Sequence, residues 1–369
     1  YGLTSAGWAW RSYRPPLYPL FLSLVYRGAG YSYPAVRLVQ ALLAALSCWL
    51  LYLLGRRIGG AAVGLIGAFL LAVDFSLIHL SGLLLSENLY LPLSLLVLLF
   101  FERGFSSGNR AAFIGAGIAG GLSALCRPTI LPFLFLAFLV PVIRSSVKSS
   151  GEKGSRPAVS GAATVKERSG PVIQLKRQLT GWALTILFAA LTIAPWTARN
   201  YRVHGAFVPV STNAGSMLWM GLHPGASGGY DWPEDDNPLR GIKDEVKRNR
   251  AGIRESIRFI ISRPGEFLRL AAIKMKIFWR GYLFTWSGRQ WALLGLAGLG
   301  GLLLSLKNWR KWLLLYLYLI TFTGVHCFVH SSYRYRLPLN PLMEIWAALF
   351  LVSVWQKLWK KRKFSFAKC

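Results

Sequence analysis

Glu87 is the first residue to question. In LSGLLLSENLYLP, residues 80–92, it is a single carboxylate in an otherwise greasy run. Two chemistries fit it. Ser86 can cap a helix whose first turn welcomes an acid, because the helix dipole is positive there. Alternatively, Glu87 is an acid at the rim of a membrane cavity. Asp74, in LAVDFSLIHL, favours the second reading. It lies inside an apolar run, about 9 Å from the run's end at ~1.5 Å per residue. An ionised Asp at that depth costs on the order of 2.5–3.5 kcal/mol, so it usually faces a wet cavity. His79 and Ser86 are its candidate partners, and a local hydrogen bond to a polar neighbour is the plainer account. Glu87 and Asp74 are therefore the candidate catalytic acids.

A set of arginines accompanies them. Arg14 precedes Pro15–Pro16, Arg127 precedes Pro128, Arg199 follows APWTA, and Arg334 and Arg336 lie in HSSYRYRLPLNP. Each alone reads as a snorkelling anchor at a helix end. Together they form a set of guanidinium forks, which match phosphate oxygens. A phosphate-bearing lipid would sit at this depth. Tyr18, Asn200, Tyr201, Asn213 and Tyr333 are the candidate cavity lining. His223, in GLHPGASGG, is a candidate metal ligand, although a lone loop histidine seldom ligates. The EDDN stretch at 234–237 lies between prolines and reads as a solvated turn.

The elements that must position these residues are membrane helices. The 369-residue chain is 54% hydrophobic, with a mean hydropathy of +0.41. Hydropathy predicts an all-α polytopic fold with nine spans: about 35–54, 61–80, 87–101, 111–127, 130–143, 179–197, 289–306, 312–329 and 341–357. Backbone groups in lipid must be satisfied internally, which favours helices. The connections GRRIGG, ERGFSSGNR and KNWRK and the tail QKLWKKRKFSFAKC hold 13 Lys and Arg between them. They are expected to face the cytoplasm, in a multi-pass protein of the cytoplasmic membrane whose site faces the exterior. Residues 144–178, rich in Ser, Gly and Lys, read as a flexible cytoplasmic linker. Residues 198–288 read as a mostly helical outer domain. One of its helices carries Ile253, Ile257, Ile260 and Ile261 on one face and ends at Pro264. EFLRLAAIKMKIFWRGYLFTW (266–286) and RPPLYPLFLSLVYRGAG (14–30) read as helices lying in the interface, charges toward the headgroups. Residues 1–34 read as the end of a first outer loop, with a further N-terminal piece expected before Tyr1.

Other classes are excluded on residues. The net charge of +29 sits in short loops and one polar linker, without a zinc spacing or an aromatic RNA-binding motif, so nucleic acid is not the partner. Cys48, Cys126, Cys327 and Cys369 are scattered and form no disulfide or metal framework. There is no Walker loop, GxGxxG, GxSxG or HExxH.

The chain resembles the GT-C glycosyltransferases, in the branch of protein O-mannosyltransferases and lipid A aminoarabinose transferases. YRPPLYPLFLSLVYRGAG resembles the juxtamembrane helix of the first outer loop, and SGLLLSENLYLPL the acid-bearing start of a later helix. GLSALCRPTILPFL, APWTARNYRVHGAFVPVSTNAGSMLWMG and YRYRLPLNP also resemble stretches of bacterial members. Order and spacing carry the resemblance more than any one motif. It implies a sugar donated by a polyprenyl-phosphate lipid at the outer membrane face, to a lipid, glycan or protein acceptor. It implies that Arg14 contacts the donor phosphate and that Glu87 is the second acid of the cavity. A divalent metal is the one cofactor it admits. The family's catalytic base is an aspartate of the first outer loop, expected upstream of Tyr1. A transporter or lipid flippase is the rival class and predicts an inverted repeat, which the sequence does not show. A non-catalytic partner subunit is the third.

Overall fold

In the computed structural model, residues 3–5, 8–151, 171–233, 237–280 and 286–366 are described. Residues 234–236 of the EDDN stretch, the middle of the expected linker (152–170) and the last three residues of the tail lie outside them. A short hairpin, β1 (Leu3–Ser5) and β2 (Trp8–Trp10), pairs Leu3 with Trp10. Among the described residues, every regular element after it is helical: α1 (Leu17–Ala29), α2 (Tyr33–Gly59), α3 (Ala61–Ala72), α4 (Phe75–Ser81), α5 (Glu87–Ser107), α6 (Arg110–Cys126), α7 (Leu131–Leu136), α8 (Leu139–Gly151), α9 (Pro171–His204), α10 (Ala214–Gly221), α11 (Glu245–Ser262), α12 (Pro264–Trp279), α13 (Trp286–Ser305), α14 (Trp309–Phe328) and α15 (Asn340–Phe366).

Among the described residues, six helical stretches are long and apolar enough to cross a membrane, or seven if the bent pair α3–α4 is one span. This count does not confirm the expected nine, for identifiable reasons. α6 is only 17 residues long. The two spans expected over 289–306 and 312–329 fall within one apolar stretch, Gly288–Phe328, divided by a 3-10 turn at Leu306–Asn308. The span expected at 61–80 is broken by 56° around Val73–Asp74. The linker expected at 144–178 is helical at both described edges, since α8 runs to Gly151 and α9 starts at Pro171.

The bundle packs α6 on α9, α13 on α15, α2 on α3 and α5 on α6. Its interior is aromatic: Tyr90, Phe101, Phe113, Phe133, Tyr318 and Trp346 are fully buried. Phe101 stacks on Phe105 with centroids 5.4 Å apart, and Phe133 meets Tyr318 edge-on at 5.0 Å. Leu38, Leu42, Leu65, Phe69, Leu293 and Leu296 point outward, as side chains facing lipid must.

Between α9 and α13 the chain folds over one end of the bundle. Pro264 both follows α11 and opens α12, where its missing N–H costs nothing. α12 corrects one expectation. Lys274, read as pointing to headgroups, is fully buried, and its ammonium donates to the carbonyls of Cys327 at 3.0 Å and Phe328 at 3.4 Å. It thereby caps the negative end of α14.

Candidate active site at the Glu87 end of the bundle

The α5–α6 hairpin builds the site. Gly108 takes the left-handed conformation that ends α5 (φ 68°), and the Asn109 side chain then accepts from the Ala112 N–H to open α6. The turn is tight, so the start of α5 and the end of α6 come level. Glu87, first residue of α5, therefore meets Arg127, which follows α6.

Arg127 Nη1 lies 2.6 Å from Glu87 Oε1, and Arg334 Nε lies 3.1 Å from the same oxygen. Glu87 is 2% exposed. The Tyr335 ring lies beneath both guanidiniums, at 5.4 Å from Arg127 and 5.5 Å from Arg334. Its hydroxyl pairs with His330 Nε2 at 2.8 Å. Burial lowers the His330 pKa to about 4, so the ring is neutral near pH 7. The Cys126 thiol donates to the Ser86 carbonyl. Ser86 precedes α5, but its side chain makes no capping bond. The preceding loop is held instead by the Asn88 amide, which donates to the Leu80, Leu83 and Leu85 carbonyls.

Beside this cluster opens a cavity of about 650 Å³. Its walls are Phe75, Leu80, Leu83, Leu337 and Tyr333, with Ser76, His79 and Arg334 as polar points. Arg334 thus faces both the buried acid and an apolar cleft.

Of the other expected residues, Tyr18 lies near Glu87 and Cys126, and the rest lie elsewhere. Arg14 is exposed beside Tyr13. Arg199 stacks on Trp196 at 4.7 Å, and its Nη1 donates to Arg11 O, Ser12 Oγ and Asn200 Oδ1. Asn200 donates to the Val208 and Val210 carbonyls. These bonds form a latch with Glu245, whose carboxylate accepts from the backbone N–H groups of Arg11 and Ser12 and from Thr212. Arg336 is buried with its guanidinium 3.6 Å from the Trp291 ring centre, and its Nη1 donates to the carbonyls of Phe278, Trp279 and Arg280. Tyr18 donates to Gln40, which in turn holds the carbonyls of Ser81 and Leu83. Burial pushes the Tyr18 phenol up. Tyr201 is exposed, and Asn213 accepts from Ser211. Asp74 caps α4 by accepting from the Ser76 N–H at 2.8 Å and accepts from Asn340 Nδ2 at 2.6 Å. Its oxygens are thus engaged away from Glu87.

His223 is buried, with Nδ1 on the Pro224 carbonyl and Nε2 4.0 Å from Asp231. Among the described residues, no three His, Cys, Asp or Glu side chains gather to hold a metal. Sequence reasoning missed Glu344, Gln290 and Glu245. Glu344 carried the signal that exposed Asp74, an acid inside an apolar helix.

Comparison with known proteins adds three findings. Residues 13–154 match the model of the dolichyl-phosphate-mannose-protein mannosyltransferase family. Comparison with curated proteins gives no match. Among solved structures, the apo crystal structure of the Archaeoglobus fulgidus oligosaccharyltransferase aligns with 98% of this chain and 44% of its own, with a TM-score of 0.56 and 15% identity. The same organism's oligosaccharyltransferase AglB, in complex with an inhibitory peptide and a dolichol-phosphate, aligns over 98% and 44% of the two chains, with a TM-score of 0.48 and 16% identity. At such identity the likeness is one of fold, and the chain spans under half the length of these structures. What the chain shares with these proteins is thus a family segment over residues 13–154 and a helical fold.

Proposed function

We propose that the protein transfers a sugar from a polyprenyl-phosphate lipid to a hydroxyl of a lipid, glycan or protein acceptor, on the outer face of the cytoplasmic membrane. The observation that carries this reading is the convergence of Arg127 and Arg334 on Glu87 at the lip of an apolar cavity. The cavity suits a prenyl chain, and Arg334, the half-exposed member, suits its phosphate.

The chemistry is a displacement at the anomeric carbon. The acceptor oxygen forms a new glycosidic bond, a base takes its proton, and the bond from sugar to phosphate breaks. The electron pair leaves on the polyprenyl phosphate, whose added negative charge the guanidiniums stabilise. Glu87 is engaged by two arginines, so its part is to aim them rather than to take the proton. The matched family and the solved oligosaccharyltransferase support the lipid-phosphate donor by analogy.

The test uses membranes containing the full-length protein and a radiolabelled polyprenyl-phosphate sugar. Label is expected to move to an acceptor, and Arg334→Ala is expected to reduce that transfer at least tenfold. The break in α3–α4 favours a transporter as the second reading. Translocation of the lipid in sealed vesicles, with no label transferred, would replace the enzyme reading with that one.

A further inference from the structure

The break between α3 and α4 holds a group of polar side chains that the proposed transfer does not use. Two ends of unwound backbone are satisfied there by one residue of α13. Gln290 donates to the Val73 carbonyl at 2.7 Å and accepts from the Phe75 N–H at 2.8 Å. Asp74, between them, caps α4 and accepts from Asn340 of α15. One turn further along α15, Glu344 turns its carboxyl to Asp74. The two acids are 3% and 1% exposed.

The surroundings do not balance two negative charges. Arg336 is the cation set against Asp74, and its Nη1 is already committed to three carbonyls. No cation is set against Glu344 among the described residues. Both Glu344 oxygens and Asn340 Oδ1 are buried without a hydrogen-bond partner. From α2 the facing titratable group is the Cys48 thiol, which brings no positive charge. The neighbouring helices pack closely here. A Cβ on Gly67 of α3 would lie 3.7 Å from the Glu344 carbonyl oxygen, and one on Gly298 of α13 would lie 3.1 Å from the Met343 carbonyl. Arg336 can offset at most one of the two acids, and the other is left over. A buried carboxylate without a counter-charge is costly enough that it takes up a positive charge instead.

We infer that Glu344 holds a proton, making the α3–α4 break a buried proton-binding site. The proton belongs to Glu344, whose O–H donates to Asp74 and satisfies an otherwise orphaned group. The same break positions α4, whose Phe75, Ser76 and His79 line the cavity, so the proton holds one wall of that cavity in place.

Infrared spectroscopy of the protein in lipid nanodiscs at neutral pH tests this without reference to transfer. A carbonyl stretch of a protonated carboxylic acid is expected. It should shift when the protein is made with isotope-labelled glutamate, and disappear in Glu344→Gln. Isotope labelling needs no substitution, so the reading survives a variant that fails to fold. Absence of the band from the wild-type protein, or its failure to shift with labelled glutamate, would overturn the proposal. Loss of the band on adding sodium would overturn it in favour of a metal cation.

Discussion

Arg127 and Arg334 share one oxygen of Glu87 but differ in burial, and their substitutions should differ accordingly. Removing Arg127 strands a buried carboxylate beside a half-exposed partner, so Arg127→Ala should cost about 3–5 kcal/mol. Arg334 is 41% exposed, and Arg334→Ala should cost within about 1 kcal/mol. Thermal melting of the two variants in detergent checks the order. Lys274 gives a pH signature. Burial lowers its pKa from 10.5 to about 8. Below pH 8 both folded and unfolded chains carry the proton, and the folded one bears the burial cost. Between pH 8 and 10.5 the unfolded chain holds more protons, so stability should rise with pH, by roughly 3 kcal/mol in all. Melting midpoints across that window should climb in the wild-type protein and flatten in Lys274→Met. At this scale the sequence showed charge in the wrong place but not its partner. Glu87 stood out because it interrupts an apolar run, and Arg127 and Arg334 because they belong to a set of arginines at helix ends. That Arg199 latches onto Arg11 and Ser12, or that Arg336 lies on Trp291, depends on contacts across more than 40 positions of chain.

Helices were legible where length and hydropathy were both strong, as in α2, α5, α9 and α15. They were less so where the backbone breaks inside an apolar stretch. Val73–Asp74 has no proline or glycine to mark it; the break stands because Gln290, from a distant helix, satisfies the freed Val73 carbonyl and Phe75 N–H. Helix pairing was not legible either, since it depends on small residues at the crossing. A Cβ on Gly301 of α13 would fall 1.7 Å from the Trp346 carbonyl oxygen of α15, whereas one on Gly295 would meet nothing within 4 Å. Gly301→Ala should therefore push the two helices apart at a cost of about 1–3 kcal/mol. Gly295→Ala should be neutral or stabilising by up to ~1 kcal/mol, because alanine loses less chain entropy in a helix. Melting of the pair, one position against the other, reads the crossing directly.

For the molecule as a whole, composition and the order of motifs were enough to read a polytopic, all-helical GT-C-type chain. Apart from the hairpin before α1, the described residues bear out the polytopic helical part of that reading. The segment after α9 was legible as helical, but not as a second small core around Leu222, Phe259 and Leu270. That core sets Lys274 on the end of α14, just before the stretch that carries Arg334. The account's central claim is that the Glu87 end of the bundle binds a lipid phosphate. The most direct measurement compares the affinity of the purified protein in nanodiscs for a polyprenyl phosphate and for the same polyprenol without phosphate. The account predicts that the phosphate tightens binding at least tenfold, about 1.4 kcal/mol, and that Arg334→Ala abolishes the difference. Equal affinity of the wild-type protein for both lipids would contradict it.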